Sequence, residues 1–269
     1  MNRKIFSRWG VVVALVAVAF TSAQAQFVYG TSFESFQGFT ANQTLDQQGF
    51  DGLGVWTATP PENAYVVDEA ARSGTQSVRL YPAETGQTDA NKIISIRNLT
   101  QPIVNGQVSM MVGSNWFPTS TQSASAFTNF QFVKGSTPVQ IMMGMEQLSG
   151  GPARIKLRFM TTQPVDLSIV APLTLNANQW YDLRFAWTWG SSQVDFFVNN
   201  NLIGGINNFI CNCPLRSDQI SLFHARSSNA GAQGAYYDDL QLAAAVPEPG
   251  TLAALGLGMA WFARRRRKA

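Results

Sequence analysis

From Tyr181 to Trp189 every second residue is large and apolar: Tyr181, Leu183, Phe185, Trp187 and Trp189 alternate with Trp180, Asp182, Arg184, Ala186 and Thr188. Successive side chains of a β-strand point to opposite faces, so a period of two marks a strand with one buried face. The pattern recurs. Ile155, Leu157 and Phe159 alternate with Arg154, Lys156 and Arg158, and Val194, Phe196 and Val198 with Gln193, Asp195 and Phe197. Gly190-Ser191-Ser192 and Asn199-Asn200-Asn201 fall where turns belong, because Gly and Asn tolerate left-handed backbone. Further strands are expected at Thr75–Tyr81, Lys92–Leu99, Gln107–Val112, Thr128–Val133, Val139–Met145, Asp166–Val170, Gln219–His224 and Tyr236–Leu242. About a dozen short strands and no helical stripe predict an all-β, two-sheet antiparallel jelly-roll sandwich. No internal repeat or inter-domain linker interrupts it, and Thr119–Ser125 reads as a polar loop.

The two ends are addresses rather than chemistry. Residues 1–25 read as a secretory signal peptide: Arg3, Lys4 and Arg8 precede an apolar stretch, Val11–Phe20, and Ala23-Gln24-Ala25 gives the small-x-small cleavage pattern. An uncleaved anchor fits less well, since a membrane span takes about 20 apolar residues. At the other end Pro247-Glu248-Pro249 precedes an apolar run, Thr251–Ala263, and the cluster Arg264–Lys268. That run, as a helix rising ~1.5 Å per residue, reaches roughly 20 Å, short of a ~30 Å hydrocarbon core. The basic cluster would stop translocation, and the two prolines break any helix extending upstream.

The order of Pro-Glu-Pro, short apolar helix and Arg cluster resembles the PEP-CTERM sorting tails of Gram-negative bacteria. Such tails are recognised by a membrane-embedded exosortase that cleaves near the Pro-Glu-Pro. The resemblance implies an exported protein, held transiently at the inner membrane and then delivered to the cell surface or extracellular matrix. Ala23 and Ala25 at one end, and Pro247, Glu248 and Pro249 at the other, are the expected processing residues. A plain single-pass anchor with a proline hinge is the alternative. The expected organisation is a signal peptide at 1–25 (a signal helix), a sandwich domain at 26–243, and a sorting tail at 244–269 with a short transmembrane helix at 251–263 and a basic stop at 264–268.

The chain's net charge of +3 comes from these ends. Of 19 Lys and Arg, three lie in the leader and five in the tail; of 16 Asp and Glu, only Glu248 does. Residues 26–246 thus hold 11 basic against 15 acidic side chains, a net −4, which gives nucleic-acid binding no compositional support.

Several stretches resemble concanavalin A-like (laminin-G-like) lectin and glucanase domains. They are Thr31-Ser32-Phe33-Glu34 with Gly49-Phe50 and Val55-Trp56, then Ser73-Gly74-Thr75-Gln76-Ser77-Val78-Arg79-Leu80. Gln179–Leu183 followed by the Val194–Asn199 hairpin strand, and the closing Ala235–Leu240, complete the set. The resemblance implies a twisted sandwich with a concave face that often binds glycans. In related modules an acid after the N-terminal strand and a C-terminal Asp often share a structural Ca²⁺. Here the positions are Glu34 with Asp238 or Asp239, and calcium accepts backbone carbonyls too, so two or three acids can suffice. The alternative is a hydrogen bond or salt bridge to Arg or to backbone amides. Strict alternation puts Asp238 on the side of Tyr236, Leu240 and Leu242, where a carboxylate needs a partner.

Catalytic signatures are missing. Glucanases of this superfamily carry Glu-x-Asp-x-Glu on one strand, which places nucleophile and acid/base on one face. No such run occurs; Asp195, Asp166 and Glu146 each stand alone in their segments. His224 is the one histidine, which excludes a multi-histidine zinc site and reads as a strand residue with a hydrogen-bond partner rather than a base. No Gly-x-Ser-x-Gly elbow or phosphate loop appears. Cys211 and Cys213 could form a tight disulfide after export, stay as free or intermolecular thiols, or serve redox or metal chemistry. For glycan contact the candidates are Trp116, Trp180 and the basic stripe Arg154, Lys156 and Arg158, each with a plain alternative as packing or solvated sheet face. The expectation is a non-catalytic exported surface or matrix protein that binds or accompanies exopolysaccharide. A divergent polysaccharide hydrolase or lyase and a purely structural biofilm-matrix protein are the alternatives.

Overall fold

The computed structural model describes residues 25–49, 54–82, 87–99, 103–118, 122–134, 137–160, 167–188, 193–207, 215–226 and 234–245. The chain divides into two units, Phe27–Ala244 and Met1–Gln26 with Ala245–Ala269; the sandwich is the first. The expected signal and tail helices, Ala23, and Pro247, Glu248 and Pro249 lie outside the described residues; Ala25 opens the first strand.

Two antiparallel sheets build the sandwich. One has nine strands, in the order β14 (Asn201–Ile206), β13 (Val194–Val198), β12 (Tyr181–Thr188), β7 (Ile103–Val112), β16 (Ala235–Ala245), β5 (Ser77–Leu80), β4 (Ala64–Val67), β2 (Gln43–Thr44), with β1 (Ala25–Thr31) paired to β16. The other has seven, in the order β11 (Leu167–Val170), β10 (Ala153–Met160), β9 (Thr137–Gln147), β8 (Ala124–Lys134), β15 (Leu215–Arg226), β6 (Gln87–Leu99), β3 (Thr57–Thr59). Three short 3₁₀ turns, Ser35–Gln37, Pro61–Asn63 and Ser114–Trp116, are the only helical elements among the described residues.

The period-two readings hold. On β12, Tyr181, Leu183, Phe185 and Trp187 are buried, and β13 sets Val198, Phe196 and Val194 opposite the last three. The turn from β13 into β14 uses left-handed backbone at Asn199 (φ 49°) and Asn200 (φ 64°), whereas Trp189 and the expected turn Gly190-Ser191-Ser192 lie outside the described residues. Across the sandwich, Phe130 and Phe132 of β8 meet Phe185 edge-on at 5.2 and 6.4 Å between centroids, and Phe132 meets Trp187 at 5.9 Å. Buried aromatics of this kind contribute by area first and by edge-to-face geometry second.

Strict alternation fails on β16. Ala235 and Tyr237 face the core, and so do Leu240 and Leu242. The phase shifts across Asp238 and Asp239, where Asp239 takes φ 46°. Asp tolerates that backbone better than most residues, and one extra residue re-aims its neighbours. Asp238 therefore does not share a side with Leu240 and Leu242, as the sequence alone predicts.

Lys92 of β6 is a buried cation, fully enclosed between Ala90 and Ile94. Its Nζ donates to the carbonyl of Gly49 at 3.0 Å and to that of Gly54, and lies 5.8 Å from the Tyr29 ring centroid. A buried ammonium requires such acceptors, and here it holds both flanks of residues 50–53 to the sheet. Lys92→Met should lower unfolding free energy by about 2–4 kcal/mol in urea titration, because it leaves two carbonyls without their donor. A neutral result would show that water serves those carbonyls instead.

Candidate functional site

Glu34 follows β1 and is buried. Its Oε1 accepts the amide N–H of Thr75 at 2.7 Å and of Gln76 at 3.0 Å, and its Oε2 accepts the Thr75 hydroxyl at 2.9 Å. Gly74 makes this approach possible: a Cβ on it would lie 2.1 Å from Glu34 Oε1, and its φ is 64°. Asp238, fully buried, sits at the other end of the same turn. Its Oδ2 accepts the amides of Arg72 at 2.8 Å and Ser73 at 3.0 Å, and its Oδ1 that of Asp239 at 2.7 Å. The Ser73 hydroxyl donates to Asp239. Arg72 forms an ion pair with Asp182 at 2.9 Å, and Ser109 donates to Asp182 at 2.8 Å. The two acids singled out for calcium are thus brought together around one turn, and each is served by amide N–H groups.

The environment treats the two acids differently. Burial opposes ionisation of Glu34, but the Thr75 and Gln76 amides and the Thr75 hydroxyl outweigh it and lower the pKa below the ordinary value. Burial pushes Asp238 up to about 7, helped by repulsion from Asp239 and only partly opposed by the amides of Ser73, Asp239 and Arg72. The oxygens a shared cation would need already face N–H or O–H donors. Among the described residues no group of three or more His, Cys, Asp or Glu side chains is placed to hold a metal.

The candidate glycan residues do not converge. Trp116 is fully buried, and its Nε1 donates to His224 Nε2 at 3.1 Å. Its ring offers no face to a ligand, which removes it from the candidates and leaves the alternative reading, packing. His224 is also buried, with Nδ1 at 3.0 Å from the carbonyl of Leu80, so it is a core residue with partners on both nitrogens. Trp180 is half-buried against Val67, Met111 and Tyr236 on the outer face of the nine-stranded sheet. Arg154, Lys156 and Arg158 lie on the outer face of the seven-stranded sheet, alternating with buried Ile155, Leu157 and Phe159. Cys211 and Cys213 lie outside the described residues.

The outer face of the seven-stranded sheet carries more than the basic stripe. Register places Arg158 beside Met142, Met142 beside Asn129, and Asn129 beside Ser221 of β15. A second row runs Gln140, Gln131, Gln219 across β9, β8 and β15. Gln140 donates to Gln131 at 3.4 Å, and Gln219 to Asn91 at 2.6 Å and Ser221 at 3.0 Å. A third row sets Lys156 and Gly144 beside Phe127, which stacks on Phe223 at 5.4 Å and 16°. Gly144 leaves room for that ring: a Cβ there would lie 2.8 Å from Phe127 Cδ1. Asn129 Oδ1 is buried and has no hydrogen-bond partner in the protein. Of the outward positions on β9 only Glu146 is acidic, and it pairs with Arg154 at 2.5 Å and Lys156 at 3.4 Å. The amide rows were missed from the sequence. Their signal was present, since each amide alternates with core residues inside an expected strand, but their adjacency exists only in the register.

Residues 245–268 match the PEP-CTERM protein-sorting motif. No curated protein matches the chain in sequence. In fold it is similar to the conserved carbohydrate esterase of Shiga toxin-encoding bacteriophage phi24B, at 10% identity and TM-score 0.55, over 83% of this chain and 100% of that one. It is likewise similar to an endo-1,3-beta-glucanase from Streptomyces sioyaensis, at 11% identity and TM-score 0.50, over 83% and 97%. At such identities the likeness is one of fold, a jelly roll of the concanavalin A-like type. Among the described residues no helix is long and apolar enough to cross a membrane.

Two measurements test this arrangement. Asp238 keeps in the fold a proton that the unfolded chain, with the ordinary carboxylate value of 3.8, has released. Stability tied to that proton is therefore present at low pH and lost as pH rises toward 7. The melting temperature should fall by several degrees between about pH 5 and pH 8, and Asp238→Asn should flatten that slope. With both acids served by amides, saturating Ca²⁺ and EGTA should give the same melting temperature. A calcium-dependent rise would instead support a shared ion at Glu34 and Asp238.

Proposed function

We propose that this protein is exported, sorted at its tail by an exosortase-like enzyme, and binds polysaccharide without cleaving it, on the outer face of the seven-stranded sheet. The sorting motif at residues 245–268 supports the first part. The second rests on one observation: rows of amide and hydroxyl groups lie beside a stacked phenylalanine pair, with Asn129 Oδ1 buried and lacking a partner. Sugar hydroxyls donate and accept at once. Amides can answer both roles, and the partly exposed Phe223, backed by the buried Phe127 ring, offers apolar surface to the sugar's C–H groups.

Electrostatics supports the non-catalytic part of this reading. Among the described residues the acids of this outer face are Glu146 on β9 and Asp89 on β6, separated by β8 and β15. Three strand spacings make about 14 Å. Glycosidase carboxylate pairs stand about 5 to 9.5 Å apart. Glu146 is moreover engaged by two cations, and Gln87 donates to Asp89 at 2.8 Å.

Co-sedimentation of the full chain with the producing cell's own exopolysaccharide is the test. Asn129→Ala and Arg158→Ala should each weaken binding about tenfold while leaving the melting temperature near that of the unaltered chain. Release of reducing ends or unsaturated sugars would replace this reading with an enzymatic one. Unchanged binding in both variants would move the site elsewhere.

A further inference from the structure

The opposite surface of the sandwich holds a groove of about 510 Å³, lined among others by Glu69, Arg79, Tyr81, Met111, Asn178 and Tyr236. Arg79 alternates with Val78 and Leu80, and Tyr236 with Ala235 and Tyr237, all four of them core residues. The groove therefore faces away from the seven-stranded sheet. Its walls are fixed. The Arg79 guanidinium lies over the Tyr81 ring at 4.4 Å and 6.0 Å from that of Tyr236, and is ion-paired with Glu69. The Tyr236 hydroxyl donates to Glu69 Oε1 at 2.9 Å. Val67, Met111 and Tyr236, with Tyr65 and Trp180 packed on them, form a small apolar cluster behind. Arg79 Nε is buried and has no hydrogen-bond partner.

Resting on the polysaccharide reading above, we infer that this groove is a second saccharide site, for a neutral sugar unit with adjacent hydroxyls, so that one domain bridges two polymer strands. Three features select that ligand. Arg79 and Glu69 cancel each other's charge, so neither an anion nor a cation gains by entering. Together they offer a donor and an acceptor side by side, which is what neighbouring hydroxyls require, the first accepting from the guanidinium and the second donating to the carboxylate. The tyrosine and methionine walls supply apolar surface, and the volume lies within the roughly 300–1,000 Å³ of small-ligand sites. Because the ion pair and the Tyr236 hydroxyl hold each other in place, little ordering remains to be done on binding. Two sites on opposite faces cannot serve one stiff chain, but they can hold two, and joining them raises avidity without any new contact.

The probes are cellohexaose, laminarihexaose and mannohexaose, titrated calorimetrically into the full chain in detergent, with turbidity of the matching polymers as the second readout. The unaltered chain should take up two oligosaccharides and clouden the polymer. Glu69→Gln and Tyr236→Phe, which preserve side-chain shape, should each weaken one site about tenfold and abolish the clouding, while Asn129→Ala weakens only the other about tenfold. A stoichiometry of one, with affinity weakened in Asn129→Ala and untouched by Glu69→Gln and Tyr236→Phe, would overturn the second site and leave the first reading standing. No uptake of any hexaose by the unaltered chain would overturn both. Should Glu69→Gln lower the melting temperature, Tyr236→Phe, which removes a single hydroxyl, carries the decision.

Discussion

Glu34 and Asp238 are far apart in the sequence but come from neighbouring strands, and both direct their carboxyl oxygens at the amide hydrogens of one turn, residues 72–76. A charge-assisted hydrogen bond inside a protein contributes roughly 1.5–3 kcal/mol, whereas an exposed ion pair contributes about 0–1. The amide contacts, not the half-exposed Arg72–Asp182 pair, therefore dominate the fastening. The turn leads directly into β5, and β5 pairs with β16, so its position sets the register of the sheet's middle. If the turn moved, the buried Glu34 carboxylate and the buried Asp238 carboxyl would both lose their donors, an outcome costlier than the loss of any one hydrophobic contact.

Much of the fold was legible because alternation is a local code. The β12 and β13 stripes and the Asn199-Asn200 turn can be read from a few consecutive residues, and the structure places them as expected. The β16 phase shift could not be read that way, since it depends on one backbone angle at Asp239 that the side-chain pattern does not encode. Nor does any local rule announce Lys92 as a core residue; it is buried because distant carbonyls from Gly49 and Gly54 meet it.

The candidate sites were less legible, for a related reason. Trp116 could be read as glycan contact or as packing from sequence alone, and what decides is a nitrogen partner far along the chain, His224, that meets its indole N–H in the core. The stripe of Arg154, Lys156 and Arg158 was visible because it runs along one strand. The amide row of Gln140, Gln131 and Gln219 runs across three strands and becomes a surface only through pairing. The Glu69–Arg79–Tyr236 constellation likewise joins residues up to 167 positions apart. Binding surfaces on sheets are perpendicular to the sequence, whereas folds are largely parallel to it.

The strand that runs into the sorting tail is an interior one: β16 has β7 on one side and β5 on the other, with β1 also paired to it. This has a mechanical meaning. A pull applied along β16 at its C-terminal end would load its ladder hydrogen bonds on both sides together, in shear. An edge strand in the same position would peel away one bond at a time. The sandwich is, by this placement, continued at its C-terminal end through the part of the sheet that resists stretching best.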